Sequence, residues 1–432
     1  MKKFKSLFLA AAIAFGFAAC NNDENYYIVE EGSTYMTISL GGVVSTRNAG
    51  TGALEAPGVE TAGTIQLGHA QVFVINSAGA VTHSQSIPTS GVTILTVDGS
   101  PTGNNLTVQL TNRIFVVGNT PTAQRGALAG LNTLQEILDF TSAIATQADY
   151  TGVVLSNVNA APVAVSSGTA VSAPIPGNNP AAEMREVTVR INPVISRLEL
   201  HDVNAVAGYR PTTLEITRTV YDPGTSTTTT TTAVETIQAR ITAFTVTGVF
   251  LDNTFGNFTY AGGGTGLREL GTMTNDQLVA ALAAGNVPYY ILGTWTGTAA
   301  TAADVAIARP LNDQVWAFNV ASSNVPRLIV RFENLTWMPA AADDWRPAGE
   351  RDPIVVAGGP RFITVTGYEG INAFTRGNIY RIGSAVDGSD GFGLTVNDIL
   401  DMPIVINPQG VNVRVGIAVQ EWRWFPTTPI WR

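Results

Sequence analysis

The chain has 432 residues, 45% of them hydrophobic and only 13% charged, with 43 glycines and 22 prolines. That balance excludes a disordered chain and long polar helices, and predicts a folded, turn-rich β protein of two or three domains. A net charge of −9 without a basic stripe excludes nucleic acid as a partner.

Residues 1–19 read as a signal peptide: Lys2, Lys3 and Lys5, an apolar run from Leu7 to Phe17, then small residues. The run is too short to stay in a membrane as a spanning helix. Those three are the only lysines, so the body of the chain uses arginine alone as its cation and cannot form lysine–asparagine isopeptide cross-links. The only cysteine is Cys20, which excludes intrachain disulfides and cysteine metal clusters. Ala18-Ala19-Cys20 resembles a lipobox, with Phe17 in place of the usual leucine, and marks Cys20 as a lipid-attachment residue.

Asn21 to Glu31 is a polar, acidic tether. From Thr34 to Arg47 the chain alternates, with Met36, Ile38 and Leu40 on one side and Thr37 and Ser39 on the other, which predicts a first strand. It ends at Arg47-Asn48. The Gly-, Ala- and Pro-rich segment Asn48 to Gly63 reads as an exposed loop, which places Arg47 where trypsin-like proteases cut. Strands are predicted at Ile65–Ile75, Val92–Val97 and Leu106–Val117, with turns at Asn76–Gly79 and Asp98–Pro101. A helix follows over Thr133–Gln147, opened by a Thr133/Glu136 capping box, with Leu134, Ile137, Leu138, Thr141 and Ile144 at helical spacing. Ser172–Ala182 reads as a linker.

In the second half VTVRI and SRLELHDV, within Glu186–Val203, give two strands around Pro193. Leu214–Tyr221 and Val234–Val249 bracket a threonine tract, Thr227–Thr232, read as the solvated tip of a long hairpin, and Phe250–Tyr260 continues in β character. A short helix, Gln277–Ala284, has Thr274 and Gln277 as its capping box and Gly285 as its stop. Further strands are expected at Tyr289–Trp295, Arg327–Leu335, Phe362–Gly367 and Asn378–Ile382. No repeat of about 20–50 residues recurs, which excludes a solenoid. The organisation expected is mainly β: two β-sandwich domains, 48–184 and 185–410, each with a short helix.

The last segment, 411–432, begins with a regular alternation. Val411, Val413, Val415, Ile417 and Val419 point one way; Asn412, Arg414, Gly416, Ala418 and Gln420 point the other. Five aliphatic side chains at about 1.5–3 kcal/mol each would gain on the order of 10 kcal/mol from a groove that fits them. Trp422, Trp424, Phe425 and Trp431 follow, with Pro426 and Pro429 barring a helix. Two readings stand open: the last strand of the chain's own sheet, or a strand made for another subunit.

Reactive constellations are absent from this reading. His69, His83 and His201 are scattered, so no triad or metal site is proposed. Gly262-Gly263-Gly264 lacks the lysine and hydroxyl of a phosphate loop and reads as a flexible turn. Asp387–Gly391 has the wrong spacing for a calcium loop. Asp343-Asp344 beside Trp345 reads as a solvated loop.

Several stretches resemble the fimbrillin family, the major fimbrial subunits of type V pili of Bacteroidales. They are the leader ending in Cys20, the strand before Arg47, RIFVVGNTP at Arg113–Pro121, REVTVRINPVISRLEL at Arg185–Leu200, FTVTGVFLDN at Phe244–Asn253, RFITVTGYEGINAFTRGNIYRI at Arg361–Ile382, and the closing VNVRVGIAVQEW. Each motif alone is weak; their order is specific. The resemblance implies two transthyretin-like β-sandwich domains and a precursor exported as a lipoprotein on Cys20. It implies cleavage by an Arg-specific protease between Arg47 and Asn48, which removes 20–47 with Met36, Ile38 and Leu40. The vacated groove would take Val411, Val413, Val415, Ile417, Val419 and Trp422 of a neighbour. The implied product is a surface fimbrium: a head-to-tail homopolymer with accessory anchor and tip subunits, host or bacterial surface ligands, no cofactor, and membrane contact only through the precursor lipid. The residues support this independently, because two alternating end strands can be exchanged at a sheet edge, and a contact between different surfaces need not close. The alternative is a monomeric surface lipoprotein or tip adhesin that binds glycans on Trp337 and Trp345. No constellation supports an enzyme.

Overall fold

The computed structural model describes residues 34–41, 53–55, 67–88, 109–144, 153–170, 183–205, 207–287, 289–308, 315–322, 325–356, 358–368, 371–382, 394–396, 405–406, 414–415 and 417–421. The expected strands Val92–Val97, the turn Asp98–Pro101, the linker Ser172–Ala182 and the Asp387–Gly391 stretch lie outside them.

The first half contributes β1 (Thr34–Gly41), β2 (Ala53–Glu55), β3 (His69–Ile75), β4 (Val81–Pro88), β5 (Arg113–Gly118), the helices α1 (Arg125–Ala129) and α2 (Leu134–Asp139), and the short strands β6 (Thr141–Ala143), β7 (Leu155–Asn157), β8 (Val163–Ala164) and β9 (Thr169–Ala170). All seven residues of β3 are buried, as its nearly unbroken apolar run requires of a strand covered on both faces. The turn after it forms as expected: Asn76 Oδ1 accepts from the Ala78 and Ala80 amides, and Gly79 supplies a φ of +86°. β4 was not anticipated, because its sequence VTHSQSIP has no apolar stripe.

The helix expected over Thr133–Gln147 is cut to six residues. Its capping box forms, yet Phe140 is extended, and Thr141–Ala143 runs as a strand antiparallel to Asn257, Phe258 and Thr259 of the second half. The Phe140 ring meets Tyr260 edge-on at 5.3 Å, and its carbonyl accepts from the Tyr260 amide at 3.0 Å. Contacts with a chain segment over a hundred residues away therefore override the helical spacing.

The second half runs β10 (Glu183–Pro193), β11 (Ser196–Leu200), β12 (Val203–Ala205), β13 (Arg210–Asp222), β14 (Thr227–Asp252), β15 (Thr254–Thr259), β16 (Gly264–Arg268), β17 (Met273–Thr274), α3 (Asn275–Ala283), β18 (Tyr289–Thr298), β19 (Ile307–Ala308), β20 (Val315–Val320), β21 (Arg327–Pro339), β22 (Ile354–Val355), β23 (Arg361–Val365), β24 (Asn378–Ile382), β25 (Leu394–Val396), β26 (Val405–Ile406), β27 (Arg414–Val415) and β28 (Ile417–Glu421). The threonine tract lies exposed at the tip end of a long hairpin, as expected, and is itself the start of β14, paired with β13 from Asp222↔Thr227 onward. Cross-strand hydroxyl pairs, Thr217–Thr232 at 2.9 Å among them, favour the ladder, and the turn is made by Asp222, whose carboxylate accepts from the Gly224 amide and the Thr225 hydroxyl. α3 starts and stops where its signals place it, with the Thr274/Gln277 box and Gly285 at φ +69°.

The chain is mainly β, in open sheets. One sheet runs β1-β10-β7-β5-β3-β4, with β8 on β5 and β9 on β10; a second runs β2-β20-β11-β24-β28; a third β19-β12-β25-β27; a fourth β13-β14-β21-β22, with β18 on β14 and β23 on β21. β10, expected to open the second half, hydrogen-bonds in the sheet of the first. The main core is one connected cluster that includes Phe115, Ile191, Phe244, Phe258, Trp316 and Phe332, from both halves.

Candidate strand-exchange site

Among the described residues β1 is an edge strand. It lies parallel to β10 over Thr34–Gly41, with Ile38 opposite Val187 and Leu40 opposite Val189. Val187, Val189 and Ile191 are buried while Thr188 and Arg190 are exposed, so β10 presents one core face and one outer face. On its other side β10 pairs with β9 at Arg185 and Glu186 and with β7 from Ile191. Taking β1 away bares eight residues of β10 backbone. Parallel neighbours need a long covalent connection, and here that connection leaves β1 through residues 42–52, which contain Arg47 and Asn48. A cut there ends that covalent connection, while the ladder with β10 still holds β1.

The tail also ends at edges. β28 closes one side of its sheet, antiparallel to β24, with Ile417 opposite Ile382 and Val419 opposite Tyr380. β27 closes another, with Val415 opposite Leu394. All three partners are buried. Of the two open readings, the described tail takes the place of a last strand in its own chain's sheets, and nothing described lies beyond it. Cys20, Arg47, Asn48, Val411, Val413 and Trp422 fall outside the described residues. Met36, Ile38 and Leu40 are on β1 and Val415, Ile417 and Val419 on β27 and β28, so the two sets belong to different sheets.

Beside β28 in the same sheet, β24 supplies one member of a charge cluster, centred on β11, that the sequence reading missed. Glu199 on β11, wholly buried, accepts from Arg197 Nε at 2.6 Å, from Arg381 Nε on β24 at 3.3 Å, and contacts His201 Nε2 at 3.2 Å. Burial alone would raise its pKa, but the Arg197 guanidinium, with His201 and Arg381, overcomes this and lowers it to about 2. The signal was present in alternate charged residues on a strand, SRLEL, but the composition of a strand does not say which faces are covered.

Arg376 joins the halves. Its guanidinium, 8% exposed, donates to Ser156 Oγ at 2.8 Å, Asn192 Oδ1 at 3.0 Å and the Tyr260 carbonyl at 3.3 Å. No carboxylate is among these partners, and burial draws its pKa down to about 10.

The glycan platform fares poorly. Trp337 is only 5% exposed, packed with Ile216, Ile237 and Ala239. Trp345 is covered by Arg218 at 5.1 Å and Arg346 at 6.0 Å. The Asp343-Asp344 loop is not solvated as expected: Asp343 Oδ2 accepts from the Gln238 amide, and the Asp344 side chain, 1% exposed, pairs with Arg346 at 3.0 Å. Gly264 is not a free hinge either, since a Cβ there would lie 2.0 Å from the Phe255 ring. His69 is buried against Ser86 Oγ, His201 holds Glu199, and His83 lies on β4, three separate places.

No family model and no curated protein matches the chain. Solved structures do. A protein of Parabacteroides distasonis provisionally named for cell adhesion matches at 11% identity over 90% of this chain and 99% of that one, with a TM-score of 0.48. A fimbrilin of Porphyromonas gingivalis matches at 12% identity over 90% and 98%, TM-score 0.44. A third, from Bacteroides eggerthii and likewise provisionally named for cell adhesion, matches at 14% identity over 91% and 97%, TM-score 0.42. Its structural neighbours thus include a fimbrilin and proteins provisionally named for cell adhesion, all from Bacteroidales, at low identity and nearly full coverage.

Proposed function

We propose that this chain is the shaft subunit of a surface fimbrium, exported as a lipoprotein on Cys20, cut between Arg47 and Asn48, and polymerised by donor-strand exchange. The observation that carries the reading is the position of β1: a strand of eight residues at the end of its sheet among the described residues, paired in parallel beside β10 and followed in the chain by the stretch that holds Arg47. Loss of β1 opens a groove whose buried side is Val187, Val189 and Ile191. The stripe Val411, Val413, Val415, Ile417 and Val419 of another copy supplies the period-two apolar edge that such a groove accepts. The contact joins different surfaces of two copies, so it need not close on itself and can grow a filament. Accessory anchor and tip subunits would end the filament, and its surface ligands would be met outside the cell.

The test uses the full precursor and an Arg-specific protease. Cleavage after Arg47 should be followed by a ladder of oligomers on an unboiled denaturing gel, and truncation after Gly410 should abolish the ladder while leaving a folded monomer. A ladder that persists without the tail sinks the reading.

A further inference from the structure

Beside β10 lies a hollow of about 390 Å³ lined by Val158, Ala161, Val163, Thr188 and Arg190. That is near the lower end of the range of roughly 300–1,000 Å³ for ligand pockets and suits one aromatic side chain. Thr188 and Arg190 are outer-face residues of β10, and Ser39 and Gly41 of β1 stand opposite them. The hollow therefore adjoins the place that β1 leaves when it is removed.

A strand entering that place meets a register problem. The stripe from Val411 to Val419 is almost unchanged when slid by two residues, a shift of about 7 Å that keeps every aliphatic side chain toward the core. The stripe alone cannot choose between such positions, and filament joints that varied by this amount would be unequal. Trp422 has the opposite parity, in line with Ala418 and Gln420, and is the first aromatic residue on that side of the tail. If the tail follows the parallel course of β1 with Val419 where Ile38 stood, Gln420 falls opposite Thr188, Glu421 opposite Val189 at the last core-facing position, and Trp422 opposite Arg190.

We propose that this hollow receives the Trp422 indole of the neighbouring copy and so fixes the register of strand exchange, an inference that rests on the function proposed above. Val158, Ala161 and Val163 give apolar walls, Arg190 can lie over the ring, and the Thr188 hydroxyl can accept from the indole N–H. A single aromatic anchor in a pocket supplies the selectivity that a repetitive contact lacks.

The processed subunit contains no cysteine, because Cys20 leaves with the removed segment, so introduced cysteines report directly. Thr188→Cys in one full-length copy and Gln420→Cys in another should form a disulfide-linked dimer on a non-reducing gel after processing. Ala418→Cys, which the two-residue slide would bring to the same place, should link about tenfold less. Trp422→Ala should bring the two yields within about twofold, and Ala161→Trp, filling the hollow from the acceptor side, should do the same, with circular dichroism checking the fold of each variant. Equal linking through Ala418→Cys and Gln420→Cys with Trp422 intact, selectivity that survives Trp422→Ala, or no linking at either site while the ladder still depends on the tail, each overturns the anchor and leaves strand exchange standing. A ladder that survives truncation after Gly410 instead removes strand exchange itself.

Discussion

Glu199 shows how much rests on a single buried carboxylate. Both of its oxygens are engaged, and three basic side chains surround it: Arg197 on β11, His201 just after that strand, and Arg381 on β24. Its pKa falls from 4.5 to about 2 in the folded chain, so its contribution is present above the unfolded value and is lost as pH drops from about 4.5 toward 2. His69 acts in a higher window. Burial, and then the Arg125 charge, lowers its pKa from 6.5 to about 4; the unfolded chain binds a proton that the folded one refuses, so stability is lost as pH falls from 6.5 to 4. Acid titration followed by circular dichroism should show two additive losses of stability. His69→Gln should remove the upper one and leave the lower. Glu199→Gln should cost about 3–5 kcal/mol at neutral pH, because it strands the buried Arg197 guanidinium, and should flatten the lower window; a variant that keeps the full acid dependence below pH 4.5 would exclude this role.

At the scale of elements, local signals decide where α2 and α3 begin and where α3 stops, while tertiary pairing decides where α2 ends. α2 and α3 share the same device, a threonine that accepts from the third residue's amide while that residue's side chain reaches back. Thr274→Ala should therefore destabilise by about 1 kcal/mol in urea melts. Thr230→Ala, on the exposed part of β14, should stay within about 0.5 kcal/mol, since its hydroxyl pairs only with Thr219 in solvent. Equal losses at the two positions would mean that the hairpin is braced by something beyond its ladder. The two terminal elements, β1 and β28, each pair on one side only among the described residues. An edge strand can leave without breaking a sheet in two, whereas a central strand such as β11 cannot.

On the scale of the whole molecule the halves are bound by more than adjacency. β6 pairs with β15 and β2 with β20, and Arg376 reaches Ser156, Asn192 and Tyr260. Arg376→Met preserves volume but leaves several buried acceptors unmet, which should cost about 3 kcal/mol or more, and Arg376→Lys should recover little because an ammonium cannot span the same fork of partners. Thermal unfolding should show one transition before the change and a lower one after it; an unchanged midpoint would mean that the shared core carries the union without the guanidinium.

What the sequence determined by itself was whatever one turn or one strand can encode. Period two at Met36–Leu40 and Val411–Val419, the two capping boxes, the Asn76–Gly79 turn and the strand Asn378–Ile382 are side-chain patterns within a few residues, and the described parts of each took the form they specify. What only the tertiary structure decided was pairing across long separations. The end of α2 depends on Tyr260, the burial of Asp344 on the loop around Trp345, the place of β10 on partners at β1, β7 and β9, and the hollow at Thr188 and Arg190 on a segment near Val158. None of these has a local signature, because the free energy that selects them comes from surfaces brought together only once the chain has folded.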